Sequence, residues 1–412
     1  MKSKVAIITS GYLPVPPAKG GAVENLVQIL ANENELKDEI DLTIFSVFDS
    51  KAKSESKNFK NSNYIFFKIP KLIQFVDLII YYIFKNLFRR KNSGSYRYIV
   101  QRLYFIDKVS KNIHNYDYDK LIIENHPTLL SVLRTRKNFI KYSGKYYYHA
   151  HNEINNEFGN GKFLINVKQF ICVSQFIADS ISKKLKITNK KKFTILKNKV
   201  DERKFRNITE KQKITFKEKY HIPNGYTLFT FSGRLNPEKG IKKLLLAYKQ
   251  AKLERSKLII AGSYFFGSNL KSDFENELAT ISKDMAQDII FTGNIDYDEM
   301  PCLYAISDVI VLPSIWNDPA PLTVIESITS GKPLITTYSG GIPEYVTEND
   351  AIILPIDRSL VANLRVAMQQ ISNNPKLIFD LTENAKKASR TWTKASFYND
   401  FVSIIFNSEK RD

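Results

Sequence analysis

Two cysteines in 412 residues, Cys172 and Cys302, are too few and too far apart for a disulfide framework or a metal-ligand cluster. Both lie in apolar surroundings and read as buried thiols in a reducing compartment. No apolar run reaches the roughly 20 residues that a membrane-spanning helix needs. No internal repeat is visible, and low complexity is confined to lysine-rich patches such as Lys190-Lys191-Lys192. No leader is expected, because the chain goes almost directly into a strand pattern, Val5-Ala6-Ile7-Ile8-Thr9. The expected location is therefore cytoplasmic, with any membrane association peripheral and at the inner face of the plasma membrane.

Acidic residues are scarce in one half only. Residues 1–200 hold 34 Lys+Arg against 16 Asp+Glu, whereas residues 201–412 hold 27 against 26. A basic half and a neutral half face different partners. The basic half should meet something anionic and extended, a phospholipid surface or a nucleic acid; a solvated lysine-rich face is the plainer alternative. What is present otherwise is ordinary for a soluble globular chain, with 43% hydrophobic and 25% charged residues. At this length two domains are expected.

Strand-like apolar runs alternate with helical patterns, which argues for parallel sheets with crossover helices, an α/β class. The candidate strands of the first half are Val5–Thr9, Leu42–Val47, Tyr64–Lys68, Leu121–Glu124, Tyr146–His151, Phe170–Val173 and Phe193–Leu196. A lysine-rich passage from Asp201 to Ile222 interrupts them. The alternation restarts with Leu228–Ser232, Leu258–Ala261, Ile289–Thr292, Val309–Leu312, Leu334–Thr336 and Ile352–Leu354. Two doubly wound domains joined near residue 200 fit this better than one sheet of thirteen strands.

One helical stretch stands apart. Leu72, Phe75, Val76, Ile79, Ile80, Ile83 and Leu87 share one face, and Arg89, Arg90 and Lys91 follow. It is too short to span a bilayer. Two readings stand: a helix lying on an anionic membrane, apolar face down, or a core-facing helix of the first domain.

The richest stretch runs from Trp316 to Glu326, Trp-Asn-Asp-Pro-Ala-Pro-Leu-Thr-Val-Ile-Glu. It sets Asp318 at a loop tip and Glu326 in the helix that follows, so two carboxylates can grip different parts of one sugar nucleotide. Upstream, Gly233-Arg234-Leu235-Asn236-Pro237-Glu238-Lys239-Gly240 puts two cations around a strand-to-helix turn. A guanidinium fork and an ammonium point charge there can hold a diphosphate and stabilise the charge growing on it as it leaves. In the first half, Gly20-Gly21 follows a proline-rich loop and opens a helix, which lets backbone approach a phosphate. Tyr146 to Glu153 is a strand ending in His149 and His151.

With these motifs, and with Val173-Ser174, Asn198, Val200-Asp201, Phe291-Thr292-Gly293 and Gly340-Gly341-Ile342-Pro343-Glu344, the chain resembles the glycosyltransferases of family 4 over essentially its whole length. The resemblance implies a retaining enzyme of the GT-B fold, with two Rossmann-like doubly wound domains facing a cleft. Residues 1–200 would bind the acceptor and 201–385 the nucleotide sugar. Residues 386–412 would form a C-terminal helix packing back toward the first domain.

It also implies roles. Glu326 would bond the ribose hydroxyls, and Asp318 the transferred sugar. Backbone N–H groups of Leu322 and Thr323 would meet the diphosphate, with Gly20, Gly21 and Gly233 allowing close approach. Gly293, Asn294 and Ile295 would line the base pocket. Arg234 and Lys239 would stabilise the leaving group, with no metal and no cofactor required. His151 would sit at the reaction centre with His149 in reserve, and His126 and Glu153 on the acceptor side.

Three departures from the family pattern touch the site: Asp318 where Glu is usual, Ala320-Pro321 where Phe-Gly is usual, and Lys199 where a glycine usually follows Asn198. If that last position needs positive φ, Lys199 is strained. The triplets Asp117-Tyr118-Asp119 and Asp296-Tyr297-Asp298 spell a metal-binding pattern of the other glycosyltransferase fold. The first leads into a strand, and the second reads as a helix capping box with Glu299.

The expected function is transfer of a sugar from a nucleoside diphosphate to a hydroxyl of a lipid-linked oligosaccharide, in surface polysaccharide assembly at an anionic membrane surface. A small soluble acceptor is the second enzyme reading. A basic nucleic-acid-binding protein is the alternative of another class, disfavoured because the basic residues are scattered and not interleaved with aromatics on one platform.

Overall fold

Each of the thirteen apolar runs forms a strand, and every strand pair is parallel. The computed structural model describes residues 2–83, 98–263 and 273–407; Leu87, Arg89, Arg90 and Lys91 fall outside them. The chain divides into two units, Met1–Lys197 with Phe397–Asp412, and Asn198–Ser396.

The first unit is built on β1 (Lys4–Ile8), β2 (Asp41–Val47), β3 (Ser62–Phe67), β4 (Lys120–Glu124), β5 (Tyr146–Ala150), β6 (Gln169–Cys172) and β7 (Phe193–Ile195), in the order β3-β2-β1-β4-β5-β6-β7. The central strands are apolar on both faces, as helices on either side require; all five residues of β5 are buried. The order reverses between β1 and β4. Such a reversal sends neighbouring crossovers to opposite faces and leaves a crevice at the carboxyl ends of those strands.

The second unit repeats the plan with β8 (Thr227–Ser232), β9 (Ser256–Ala261), β10 (Ile289–Gly293), β11 (Val309–Leu312), β12 (Leu334–Thr337) and β13 (Ala351–Leu354). Their order is β10-β9-β8-β11-β12-β13, and the reversal falls between β8 and β11. Together the two sheets give the mixed α/β architecture of a GT-B protein.

The last helix, Lys394–Asn407, passes from one unit to the other. Phe397, Tyr398, Phe401 and Ile405 are all fully buried in the first unit's core, beside residues such as Leu26, Ile29 and Leu42. At ~1.5–3 kcal/mol for each side chain taken from water, these four hold the tail in place. Tyr398 also donates to Asn34 Oδ1 at 2.7 Å. Residues 386–396, placed in the tail segment by sequence, belong instead to the second unit. Arg206 there donates to the Ser389 carbonyl at 2.5 Å, and the Lys394 N–H to Glu202 at 2.9 Å.

The helix Lys71–Tyr82 turns its apolar side outward. Leu72, Phe75, Ile79 and Ile83 are 72%, 60%, 43% and 43% exposed, while Asp77 is buried. That overturns the core-facing reading. The cause is Asp77, whose carboxylate accepts the backbone N–H groups of Val100 and Gln101 at 2.8 and 2.9 Å. Those groups begin the helix Ile99–Asn115, where unpaired donors and the positive helix end favour an anion. Among the described residues no helix is long and apolar enough to cross a membrane. Asp77→Ala should cost about 1 kcal/mol, the usual loss of a helix cap. It should lower the melting temperature by about 2–4 °C; an unchanged melt would show that these two hydrogen bonds carry no stability.

Candidate active site

In the second unit the exit from β8 and the loop after β11 are locked together by backbone. Gly240 has φ 70°, and a Cβ there would come 1.9 Å from the Pro313 carbonyl oxygen. Only glycine lets the turn after Lys239 approach the 313–318 loop so closely. Gly340 plays the same part from the other side. Its φ is 51°, and a Cβ would fall 2.4 Å from the Asp318 carbonyl oxygen, to which the Gly341 N–H donates at 2.8 Å. The Asp318 N–H donates in turn to Ser339 Oγ at 3.2 Å.

The result is a fixed acid. Asp318 is 5% exposed and forms an ion pair with Lys239. The Lys239 ammonium also lies 6.0 Å from the Trp316 ring centre, a cation–π distance. Arg234 stands exposed past the end of β8. The two motifs found separately in the sequence thus share one place through Lys239 and Asp318.

Glu326 lies in the helix Leu322–Thr329, which begins directly after this loop. Its carboxylate is 3% exposed and accepts from the phenol of Tyr304 at 2.8 Å. Tyr304 is also 2.8 Å from Ser232 Oγ at the end of β8. Burial pushes the Glu326 carboxyl up to about 7, against the lowering effect of hydrogen bonds from Tyr304 and Tyr297. Neither tyrosine carries a sequence signal that would have assigned it here. At the helix start no side chain caps the N–H groups, and Leu322 and Thr323 are half-buried.

The remaining predicted positions of this unit are less central. Asn294 accepts from Ser263 Oγ at 2.9 Å just after β10, and Ile295 packs on a small cluster around Phe216 and Leu303. Gly233 and Gly293 both have positive φ. Asn198 anchors the Ala320 segment, donating from Nδ2 to the Ala320 carbonyl at 3.4 Å while its N–H donates to Tyr345 Oη. Lys199 has no positive φ, so no strain is stored there, and its ammonium donates to Ser396 Oγ at 2.9 Å.

In the first unit the strand ends beside the reversal converge on one carboxylate, Glu124, the last residue of β4. It pairs in register with His149 of β5. His149 Nδ1 lies 3.1 Å and His151 Nε2 3.0 Å from its oxygens, and the two rings are 4.1 Å apart. Burial alone would raise the Glu124 carboxyl, but the two imidazoles outweigh it and hold the group at about 2. An ionised carboxylate only accepts, so each imidazole nitrogen facing it carries its proton. Burial and the neighbouring His149 depress His151 to about 4. It therefore offers Nδ1 as an acceptor at neutral pH.

Sequence reading missed Glu124 because strand neighbours, and hence its register with His149, are not written in the chain. Among the described residues these three form the one group whose ligand atoms lie close enough to hold a metal ion, within 4.8 Å of one another. Those same atoms are already joined by the two hydrogen bonds.

Nearby, Glu24 enters the helix that opens at Gly20-Gly21. It is 3% exposed, accepts from Ser10 Oγ at 2.8 Å, and is raised by burial to about 6. Glu153 is held elsewhere, accepting from Ser180 Oγ at 2.6 Å. His126 follows β4 and is taken up below. The D-x-D triplets serve structural ends. Asp119 accepts the Lys4 N–H, Asp117 pairs with Lys141, and Asp298 pairs with Lys204. The expected capping box at Asp296 does not form: its side chain makes no cap hydrogen bond, and Glu299 pairs with Lys219.

Comparison with known proteins points the same way. The family model "Glycosyl transferases group 1" matches residues 212–388. A putative glycosyltransferase, YtcC of Bacillus subtilis, is 24% identical over 400 residues, covering 93% of this chain and 87% of that one. The lipopolysaccharide 1,2-N-acetylglucosaminetransferase of Salmonella typhimurium is 28% identical over 179 residues, 40% of this chain and 46% of its own. Among solved structures, Anabaena HepE in complex with UDP and glucose superposes with a TM-score of 0.70 at 18% identity, over 98% of this chain and 99% of that one.

The raised Glu326 carboxyl has a consequence for stability. A carboxyl whose pKa is higher folded than unfolded favours the native state while protonated. That advantage is complete below the unfolded value near 4.5 and is lost as pH rises to about 7. Glu326→Gln should remove this slope. The stability difference between variant and wild type should grow from pH 4.5 to 7 in the variant's favour and then level off. Parallel melting curves across that range would contradict the assignment.

Proposed function

We propose that the chain is a group 1 glycosyl transferase of the GT-B fold that uses a nucleotide sugar as a retaining, metal-independent enzyme. The acceptor in this reading is a hydroxyl of a lipid-linked oligosaccharide in surface polysaccharide assembly. The single observation that supports the donor reading best is the clustering of Lys239, Asp318 and Glu326 around the exits of β8 and β11.

In this mechanism Glu326 takes the ribose hydroxyls. Arg234, Lys239 and the N–H groups of Leu322 and Thr323 take the diphosphate. Two cations and a helix N-terminus stabilise the charge that develops on the departing phosphate, the part a divalent ion plays elsewhere. Asp318 orients the sugar. The acceptor oxygen attacks on the face the diphosphate leaves, through an oxocarbenium-like state, and the leaving phosphate takes its proton. His151, tied by Glu124, accepts a hydrogen bond from a sugar hydroxyl through Nδ1.

A lipid-borne acceptor is supported by the basic first half and by the outward apolar face of Lys71–Tyr82. An amphipathic helix of this kind lies in the interface of an anionic membrane. The Salmonella relative is named for lipopolysaccharide, which agrees with this reading.

Two measurements test it. With a donor chosen by thermal shift across nucleoside diphosphate sugars, UDP-sugars first, Lys239→Ala should lower transfer by roughly 10²-fold or more, and EDTA should leave wild-type transfer intact. Near-normal activity of the variant removes Lys239 from the chemistry, and loss with EDTA overturns metal independence. Replacing Phe75, Ile79 and Ile83 by serine should release the protein from vesicles containing phosphatidylglycerol without lowering its melting temperature. Continued flotation would remove this helix from membrane contact.

A further inference from the structure

Arg102 sits in the first turn of the helix Ile99–Asn115, half-buried, and its guanidinium meets no carboxylate among the described residues. Its Nη1 donates to His126 Nε2 at 3.1 Å, and its Cζ lies 5.5 Å from the centre of the Tyr12 ring. Nε is buried and has no hydrogen-bond partner. No described Asp or Glu lies within ion-pair distance of it, and the adjoining stretch 84–97 contains neither residue. A guanidinium taken from water is normally matched by an anion, because the uncompensated charge is costly.

The neighbours are chosen for something other than charge neutralisation. His126 is held far below its ordinary range, to about 4, by burial and then by Arg102 itself, so it is a neutral acceptor. Its ring lies 5.2 Å from that of Phe158, which is half exposed. Tyr12 stacks on Tyr98 at 5.8 Å and 14°, and both keep more than a third of their surface open. Flat aromatic faces beside a fork of N–H donors match a sugar ring that carries an oxyanion.

The position fits an acceptor. His126 is two residues beyond Glu124, which bonds His151, and the His151 N–H donates to Asn125 Oδ1 at 3.1 Å. Gln101 donates to the Gly11 carbonyl at 3.2 Å, fixing the helix start to the loop after β1.

We propose that Arg102, with His126, Tyr12, Tyr98 and Phe158, forms an acceptor subsite for a sugar bearing an oxyanion, most simply a phosphate ester on or next to the accepting sugar. The proposal deepens the glycosyl-transfer reading and rests on it for the word acceptor. The phosphate can be carried by a lipid or by a soluble sugar, and the chemistry that recognises it is the same.

The test measures binding of glucose 1-phosphate, of glucose, and of phosphatidylcholine vesicles with and without farnesyl phosphate. Wild type, Arg102→Gln and Arg102→Lys are compared, and UDP binding and melting temperature are read on the same samples. Arg102→Gln should weaken at least one phosphate probe about tenfold or more. Arg102→Lys should recover part of the loss, with UDP binding and melting unchanged, and glucose should not discriminate among the three. The probe that loses more identifies the carrier. Equal binding of both phosphate probes by wild type and Arg102→Gln overturns the subsite, as does failure of both to bind the wild type. Failure of UDP to bind the wild type is a separate result that undoes the donor reading of the second unit.

Discussion

Among the described residues all thirteen strands run parallel within their sheets, so each sheet has one edge where every strand ends and every loop to a following helix begins. At one point in each sheet the order reverses, and the loops on either side turn to opposite faces. Between them lies the place where side chains from separated parts of the chain can meet without displacing a helix. Each chemically suggestive cluster described above sits at such a point. Glu124, Glu24 and the two histidines gather where β1 meets β4. Lys239, Asp318 and Glu326 gather where β8 meets β11.

Two buried carboxylates show how the same burial yields opposite outcomes. Glu326 faces phenols, which donate hydrogen bonds but no charge, and its carboxyl rises to about 7. Glu124 faces two imidazoles whose ring nitrogens lie at hydrogen-bond distance, and their combined effect outweighs burial, so it falls to about 2. The first changes its ionisation near neutral pH. The second is a permanent anion whose work is to fix two ring orientations and their tautomers.

The strands were legible because apolar runs of three to six residues bounded by turn residues leave little choice, and alternation with helices implied parallel pairing. The motifs of the second unit were legible because Gly240 and Gly340 stand beside the charged residues whose loops they allow to approach. What could not be read is whatever depends on strand neighbours. Glu124 reaches His149 only because β4 and β5 are adjacent, and Tyr304 reaches Glu326 only after its helix packs beside β8. The outward face of Lys71–Tyr82 was equally hidden, since an amphipathic pattern does not say which side is inside. The buried Asp77, a lone charge in an apolar run, was the residue that decided it.

The chain leaves its first unit at Lys197 and re-enters it at Phe397. Phe397, Tyr398, Phe401 and Ile405 belong to a core whose other members, such as Val5, Leu30 and Ile44, emerge from the ribosome some 350 residues earlier. The earlier lobe therefore cannot close its hydrophobic interior until synthesis is nearly finished, whereas the later one has all of its strands beforehand. Birth order and maturation order are thus inverted, and a nascent chain stalled before Phe397 would expose apolar surface that only the final helix covers.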